Sequence, residues 1–285
     1  MKDNDYIELL TAATETAVAA GQLLRERWQQ PQTLTSKGFR DWVTESDVAV
    51  QRFITDRIRA QFPDHGFLVE EKDTDLPANG RAIWIIDPID GTNNFSRQQP
   101  NFCTSIAVGL PAGRGTASTG AASTGSAAGY LAVVAGAVYD PLRDELFTGL
   151  LGGGSYLNGR RLQVSQMAEL GQAIIALDWS SAPEQRRLAM SQLARTAHNV
   201  LTIRAIGSAT LALAWVAAGR LDGYWHNSLK AWDAAAATLF VHEAGGLTSD
   251  GRRVPWQTND SRCVASNKHL HEQLLALLAV ENQSQ

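Results

Sequence analysis

The chain has 285 residues, of which 44% are hydrophobic and 19% charged, with a formal net charge of −4. That composition supplies a globular core, excludes a disordered chain, and argues against nucleic acid as a partner. Two cysteines are too few for a disulfide framework or a cysteine-based zinc site, and no apolar run reaches the length of a membrane span. The N-terminus lacks the basic start and continuous apolar core of a signal peptide, so a cytoplasmic protein without membrane contact is expected.

From Asp5 to Trp28, Ile7, Leu10, Ala13, Ala17, Ala20 and Leu24 recur at helical spacing and predict an amphipathic helix. A second helix is predicted over residues 46–62, with Val50, Phe53, Ile54 and Ile58 on one face. Thr44 to Asp47 has the spacing of a capping box, and Pro63-Asp64-His65-Gly66 ends the helix. Apolar runs at residues 66–69, 82–86, 104–110 and 131–138 predict buried strands. Residues 111–130, rich in Gly, Ala, Ser and Thr, read as a flexible insertion joining the last two. The glycine-rich stretch 152–159 lacks the Lys-Ser/Thr of a phosphate loop, and Asn158-Gly159 predicts a tight hairpin turn. Beyond it, strands are predicted at 173–177, 201–206 and 221–225 and helices at 183–198, 208–218, 232–244 and 268–280. Gly245-Gly246 stops the third of these helices. The alternation predicts a layered α/β or α+β architecture.

The most informative stretch runs from Trp84 to Phe95 and reads W-I-I-D-P-I-D-G-T-N-N-F. An apolar strand delivers Asp87 at its end, Pro88 keeps the chain extended there, and Asp90-Gly91 makes a turn. Two acids three residues apart at a strand end can converge on one point. Left bare they repel, and one would tend to protonate; a divalent cation removes the conflict. Oxygen donors with no His or Cys nearby in sequence favour Mg²⁺ over zinc. Glu70 and Glu71 follow another apolar run, and Trp232-Asp233 opens a helix that ends Glu243-Ala244-Gly245-Gly246. Each piece alone has a plain structural reading: a turn for Asp90-Gly91, a solvated loop for the Glu pair, an N-cap for Asp233.

Together these elements closely resemble the inositol monophosphatase family, within the fructose-1,6-bisphosphatase-like superfamily of Mg²⁺-dependent, lithium-sensitive phosphatases. The resemblance is carried by Asp87–Phe95, the preceding Glu pair, Trp232–Ala236 and Glu243–Gly246. It extends to Asp41-Trp42-Val43-Thr44-Glu45-Ser46-Asp47, Val138–Pro141, Asn158–Arg160 and Gly207–Ala209, and so covers almost the whole chain. It implies an α+β fold, a layered αβαβα sandwich. Residues 1–145 would carry the metal-binding strand ends, residues 146–285 would supply Asp233 and the substrate wall, and the site would lie at their junction. Glu70, Asp87 and the Ile89 carbonyl would hold one Mg²⁺, and Asp87, Asp90 and Asp233 a second; with a weaker ion near Glu70 this makes about two to three. Backbone N–H groups of Gly91 and Thr92 would bind phosphate. The Thr92 hydroxyl, paired with Asp47, would orient and deprotonate the attacking water, and Glu71 would tune that water from farther out. Asp47 at a helix start also fits a plain capping residue. Gly207, Ser208 and Ala209 would contact substrate, and Asp233 would accept one of its hydroxyls.

One position departs from the pattern. Animal-type members carry a Glu seven residues before the W-D aspartate, and counting back from Asp233 gives His226. His226 reads either as a changed contact to substrate hydroxyls or as a residue that fills the space. Lys230 resembles a basic residue common in bacterial members. The activity implied is hydrolysis of inositol monophosphate or a similar polyol or sugar phosphate. Histidinol phosphate, fructose-1,6-bisphosphate and a nucleotide 3′-phosphate are alternatives. A homodimer and lithium inhibition belong to the same expectation. A regulatory binding protein using this fold is the reading from a different class; the joint presence of Glu70, Asp87, Asp90, Thr92 and Asp233 favours the enzyme.

Overall fold

The first apolar stripe folds as helix α1 (Asp3–Trp28), with Leu9, Ala13, Ala17, Ala20 and Leu24 buried along one side. It opens a computed structural model that describes residues 3–39, 41–71, 74–76, 81–111 and 130–279. A hairpin of β1 (Leu34–Gly38) and β2 (Asp41–Thr44) leads into α2 (Glu45–Gln61). The predicted capping box forms: the Thr44 hydroxyl accepts from the Ser46 and Asp47 N–H groups, and the Asp47 carboxylate accepts from the Thr44 N–H at 2.7 Å.

The larger sheet has seven strands in sequence order. They are β3 (Gly66–Val69), β4 (Ile83–Asp90), β5 (Cys103–Pro111), β6 (Leu131–Asp140), β7 (Glu145–Leu150), β8 (Gly154–Leu157) and β9 (Arg160–Arg161). Only β3 and β4 run parallel; the rest is an antiparallel meander, with the short helix α3 (Thr92–Ser96) between β4 and β5. Most of the glycine- and serine-rich insertion, residues 112–129, lies outside the described residues; β5 and β6 pair right up to Pro111 and Leu131. Asn158 and Gly159 have φ of 47° and 77°, the left-handed pair that the tight β8–β9 turn requires.

The smaller sheet has five strands in the order β11-β10-β12-β14-β13. They are β10 (Ile174–Leu177), β11 (Thr202–Arg204), β12 (Gly223–His226), β13 (Leu247–Ser249) and β14 (Cys263–Ser266). The helices of this part are α4 (Pro183–Ala197), α5 (Ala209–Ala217), α6 (Ala231–Glu243) and α7 (His271–Leu278).

Strand alternation sorts these elements into layers. Along β4, Trp84 and Ile86 pack into the core of α1 and α2, whereas Ile83 and Ile85 pack into the core of α5 and α6. Along β10, Ala176 joins the α5–α6 core, and Ile175 and Leu177 face a third core built on Leu274, Leu275 and Leu278 of α7. The result is the αβαβα sandwich. Both faces of each sheet are covered, which explains why the strands read as continuous apolar runs. Among the described residues no helix is long and apolar enough to cross a membrane.

The middle layer is closely set. A Cβ on Gly149 would stand 2.5 Å from Phe240 Cδ1, and one on Gly136 3.1 Å from the Ala236 Cβ. These glycines of β6 and β7 admit α6 tightly against the sheet. Gly149→Ala is expected to cost about 1–3 kcal/mol by overpacking, read as a lower urea midpoint; an unchanged midpoint would show slack between α6 and the sheet.

Candidate active site

The end of β4 is not a regular strand. Asp87 pairs with Ser105 and Asp90 with Cys103, so Pro88 and Ile89 together face Thr104 in a bulge. Pro88 has no N–H to lose; its carbonyl accepts from the Thr104 hydroxyl at 3.0 Å, and the Ile89 N–H donates to Asp87 Oδ1 at 3.0 Å. In a regular strand, residues three apart point to opposite faces. The extra residue turns Asp87 and Asp90 both toward the middle layer, while Ile89 enters the α1–α2 core. The parallel register of β3 on β4 pairs Val69 with Ile86 and so carries Glu70 alongside Asp87.

Two helices of the middle layer complete the group. At the start of α5, Ser208 Oγ and the Thr210 N–H each donate to Asp90 Oδ2 at 2.6 Å. The positive end of a helix suits a carboxylate. Asp233 is the third residue of α6, and its carboxylate accepts from the Lys230 N–H at 2.7 Å. Lys230, not Asp233, occupies the N-cap position.

The electrostatics of this group are lopsided. Asp87 and Asp90 are buried, Glu70 and Asp233 half-buried. Burial lifts the carboxyl pKa of Asp87 well above its ordinary value, and the charges of Glu70, Asp90 and Asp233 lift it further. Burial, then Asp90, lifts Asp233 in the same way. Burial also raises Glu70, against the pull of Lys37, and Asp90, against its bonds to Ser208 and Thr210. The charge of Glu70 opposes ionisation of Asp87, so a proton on Asp87 relieves the repulsion. Lys37, from β1, places Nζ 2.9 Å from Glu70 Oε1 and 2.9 Å from Glu71 Oε1. Burial lowers the Lys37 pKa, but the two glutamates outweigh it and the ammonium stays charged.

Buried carboxylates in excess are held by protons or by cations. Among the described residues, no three acidic, His or Cys side chains stand as a closed metal cage; Asp90 is bonded to Ser208 and Thr210, and Asp233 to the Lys230 N–H. The donor chemistry nevertheless fits a hard cation: carboxylates plus the Ile89 carbonyl. Cys103 lies close, but burial and the neighbouring aspartates push its thiol pKa well up and keep it from acting as a soft ligand.

A glycine cradle adjoins the acids. Gly91 has φ 100°, and a Cβ there would lie 2.7 Å from the Asn101 carbonyl and 3.2 Å from that of Gly207. Asn94 Nδ2 donates to the carbonyls of Asn101 and Ile206 at 2.7 and 3.0 Å, which ties α3 to the segment before α5. The Gly207 N–H donates to Asp178 Oδ1 at 2.7 Å; burial, with the Asp90 charge, raises the Asp178 carboxyl to about 7.

Asp47 is fully buried, accepts from Thr44 through Oδ2 and from the Thr92 hydroxyl through Oδ1 at 2.9 Å. Burial raises its pKa to about 6; the Thr44 bonds oppose this and the Glu70 charge adds to it. The Thr92 hydroxyl also lies 3.1 Å from the Ile89 carbonyl. It carries a single hydrogen, so when it donates to Ile89 the bond to Asp47 requires a proton on Asp47. The pair is built to hold a proton at either position.

The remaining predicted residues stand farther out. The Glu71 N–H donates to Gln51 Oε1 at 2.9 Å, and its carboxylate meets Lys37. Ser208 caps α5, with Ala209 the first helical residue. His226 is buried and shares a sheet face with Tyr224; its Nδ1 accepts from the Ser228 N–H at 3.0 Å, and burial lowers its pKa to about 4, so the ring is neutral. Sequence reasoning passed over Lys37, Thr210 and Asp178. Lys37 lies in a polar strand with no pattern to flag it, whereas Asp178 carried a signal, an acid just past a predicted strand.

The inositol monophosphatase family model matches residues 5–121 and 131–283. The chain is 33% identical over 279 residues to a protein of Solanum lycopersicum named inositol monophosphatase 1, spanning 95% of this chain and 94% of that one. It is 36% identical over 245 residues to the Escherichia coli K12 protein named Nus factor SuhB, spanning 85% of each. The crystal structure of extragenic suppressor protein suhB from Bartonella henselae matches with a TM-score of 0.85 at 31% identity, covering 96% of this chain and 99% of that chain. The family supports a phosphatase. On these matches, and on the strand-end acids and glycine cradle that accompany them, the chain belongs to the inositol monophosphatase family.

Proposed function

We propose that the protein is a Mg²⁺-dependent phosphomonoesterase acting on inositol monophosphate or a similar small polyol or sugar phosphate. The observation that carries this reading is the gathering of Glu70, Asp87, Asp90 and Asp233 beside the Gly91 turn, where burial raises all four carboxyl pKa values and neighbouring acids lift Asp87 and Asp233 further. Glu70, Asp87 and the Ile89 carbonyl would hold one Mg²⁺ and Asp87, Asp90 and Asp233 another, with about two to three ions in all. Bound Mg²⁺ neutralises charge on the phosphoryl oxygens and makes the attacking water more acidic.

The chain's own residues do the rest. Backbone N–H groups of Gly91 and Thr92, at a left-handed turn, bind phosphate oxygens. The Thr92 hydroxyl orients the water and passes its proton to Asp47, whose pKa of about 6 suits taking up and releasing a proton near neutrality. Glu71 acts from farther out, through Lys37. Gly207, Ser208, Ala209 and Asp233 wall the leaving alcohol, and the neutral His226 ring, whose Nδ1 accepts from Ser228, would offer its Nε2–H as a hydrogen-bond donor. A homodimer, lithium inhibition and a cytoplasmic location complete the reading.

The test is phosphate release from inositol 1-phosphate, histidinol phosphate, fructose-1,6-bisphosphate, NADP and adenosine 3′,5′-bisphosphate, each with Mg²⁺ and with EDTA. Metal-dependent turnover supports the reading, and the preferred substrate shows what stands in place of the acid at position 226. No turnover by folded, Mg²⁺-loaded protein overturns it. A regulatory binding role is then the second reading, favoured by the 36% identity to a protein named Nus factor SuhB.

Lys37 occupies the face of Glu70 that a cation would claim. Lys37→Met is expected to tighten Mn²⁺ binding by roughly fivefold, about 1 kcal/mol for a partly exposed ion pair. Calorimetric titration reads this directly, and weaker binding would show that Lys37 supports the ion.

A further inference from the structure

Behind the Gly91 turn runs a hydrogen-bonded chain that touches neither the acids nor the proton pair. It starts at Asp140, which is fully buried at the end of β6. Asp140 Oδ1 accepts from the N–H groups of Leu142 and Arg143 at 3.0 and 3.1 Å, and Oδ2 accepts from Arg143 Nη1 at 2.6 Å. The same Nη1 donates to the Pro100 carbonyl at 2.6 Å, and Nη2 donates to Asn101 Oδ1 at 2.8 Å. The guanidinium also lies 5.3 Å from the centroid of the Trp215 ring on α5. One planar group thus joins the β6–β7 turn, the segment after α3, and α5, the helix capped by Ser208.

Asn101 passes the constraint on. Its carbonyl accepts from Asn94 Nδ2 and stands 2.7 Å from the place a Gly91 Cβ would occupy. Asn94 reaches across to the Ile206 carbonyl, next to Gly207. The two halves of the cradle come from distant parts of the chain, and this line of bonds fixes their separation. A rigid fork suits the task, because it holds three directions at once, where a lysine would offer a point charge.

We propose, resting on the phosphatase reading above, that Arg143 is a positioning residue for phosphate binding: through Asn101 and Asn94 it sets the spacing of Gly91 and Gly207. The loss is then one of binding, and the acids that hold Mg²⁺ are spared.

The test uses Mg²⁺-loaded protein and inorganic phosphate as the calorimetric probe. Arg143→Met is expected to weaken phosphate binding about tenfold and to raise KM for a phosphate ester in parallel, with kcat within about threefold. Mn²⁺ affinity, measured without phosphate, is expected to stay within about threefold. Arg143→Lys keeps a charge for Asp140 and should retain the thermal midpoint while still losing phosphate affinity. Asn101→Ala leaves the Asp140–Arg143 pair intact and should share the phosphate defect, which keeps the test open if Arg143→Met does not fold. Folded variants that bind phosphate as wild type does, or that lose phosphate and Mn²⁺ affinity in step, overturn the assignment. Wild-type protein that neither binds nor releases phosphate overturns the phosphatase reading itself, and that result appears with no variant needed.

Discussion

Asp87→Asn is expected to abolish metal-dependent phosphate release and, at the same time, to raise the thermal midpoint of the metal-free protein. Asp87 feels the charges of Glu70, Asp90 and Asp233 together, as a ligand shared by two ions would. Losing it removes several kcal/mol of charge stabilisation, and about 4 kcal/mol is a thousandfold in rate. The stability effect runs the other way. A carboxyl whose pKa is raised by folding binds more protons in the native state than in the unfolded chain. Metal-free protein therefore loses stability as pH rises from the ordinary carboxylate range through the raised value of Asp87. Asparagine keeps the shape and removes the charge, so above that window the variant melts higher than wild type in EDTA. With Mg²⁺ the order reverses, because only the intact site gains binding energy. Melting curves at neutral pH with EDTA and with Mg²⁺ decide it. A variant less stable than wild type in both would mean that Asp87 serves the bulge through Ile89 and not a cation.

Asp47→Asn is expected to lower kcat by about 10²–10⁴-fold, the range for a lost general base, with KM little changed. Asparagine can still accept from the Thr44 N–H, so the α2 cap persists and the loss is not one of folding. Thr92→Ala should act on the same step, and the double variant should be hardly worse than either single one, since the two residues work as a unit. The wild-type rate should fall on the acid side with an apparent pKa at or below about 6, since a nearby cation opposes protonation of Asp47. That limb should be absent in Asp47→Asn. The same raised pKa makes Asp47 a small brake on stability as pH climbs from about 4 to about 6. A variant that loses kcat only in proportion to its folded fraction would leave Asp47 with the capping role alone.

Features confined to a few neighbouring residues are legible in the amino-acid sequence alone. The Thr44–Asp47 capping box closes within one helical turn, and Asn158-Gly159 needs only its own left-handed backbone. The buried strands announce themselves because sheets covered on both faces demand continuous apolar runs. Other elements leave no such trace. The residues of β1 are all exposed, and β7, β13 and β14 take their place only from the strands they pair with. Lys37 is invisible for that reason: nothing around it in the chain says that it will meet Glu70 and Glu71.

The sequence by itself determined the kinds of donor available: carboxylates at Glu70, Asp87, Asp90 and Asp233, a hydroxyl at Thr92, and glycines at 91 and 207 where the backbone must turn. Their motif pattern also identified the family. Tertiary structure alone decided how they meet. The bulge against Thr104 puts Asp87 and Asp90 on one face, the β3–β4 register brings Glu70 beside them, and close packing of α6 on Gly136 and Gly149 seats Asp233 nearby. It also decided charge. His226 was open to two readings in the sequence, and burial makes its ring neutral, while the same withdrawal from water lifts the acids until they require a proton or a cation. Local sequence fixes backbone preference and functional groups; distance and dielectric depend on every layer that packs around them.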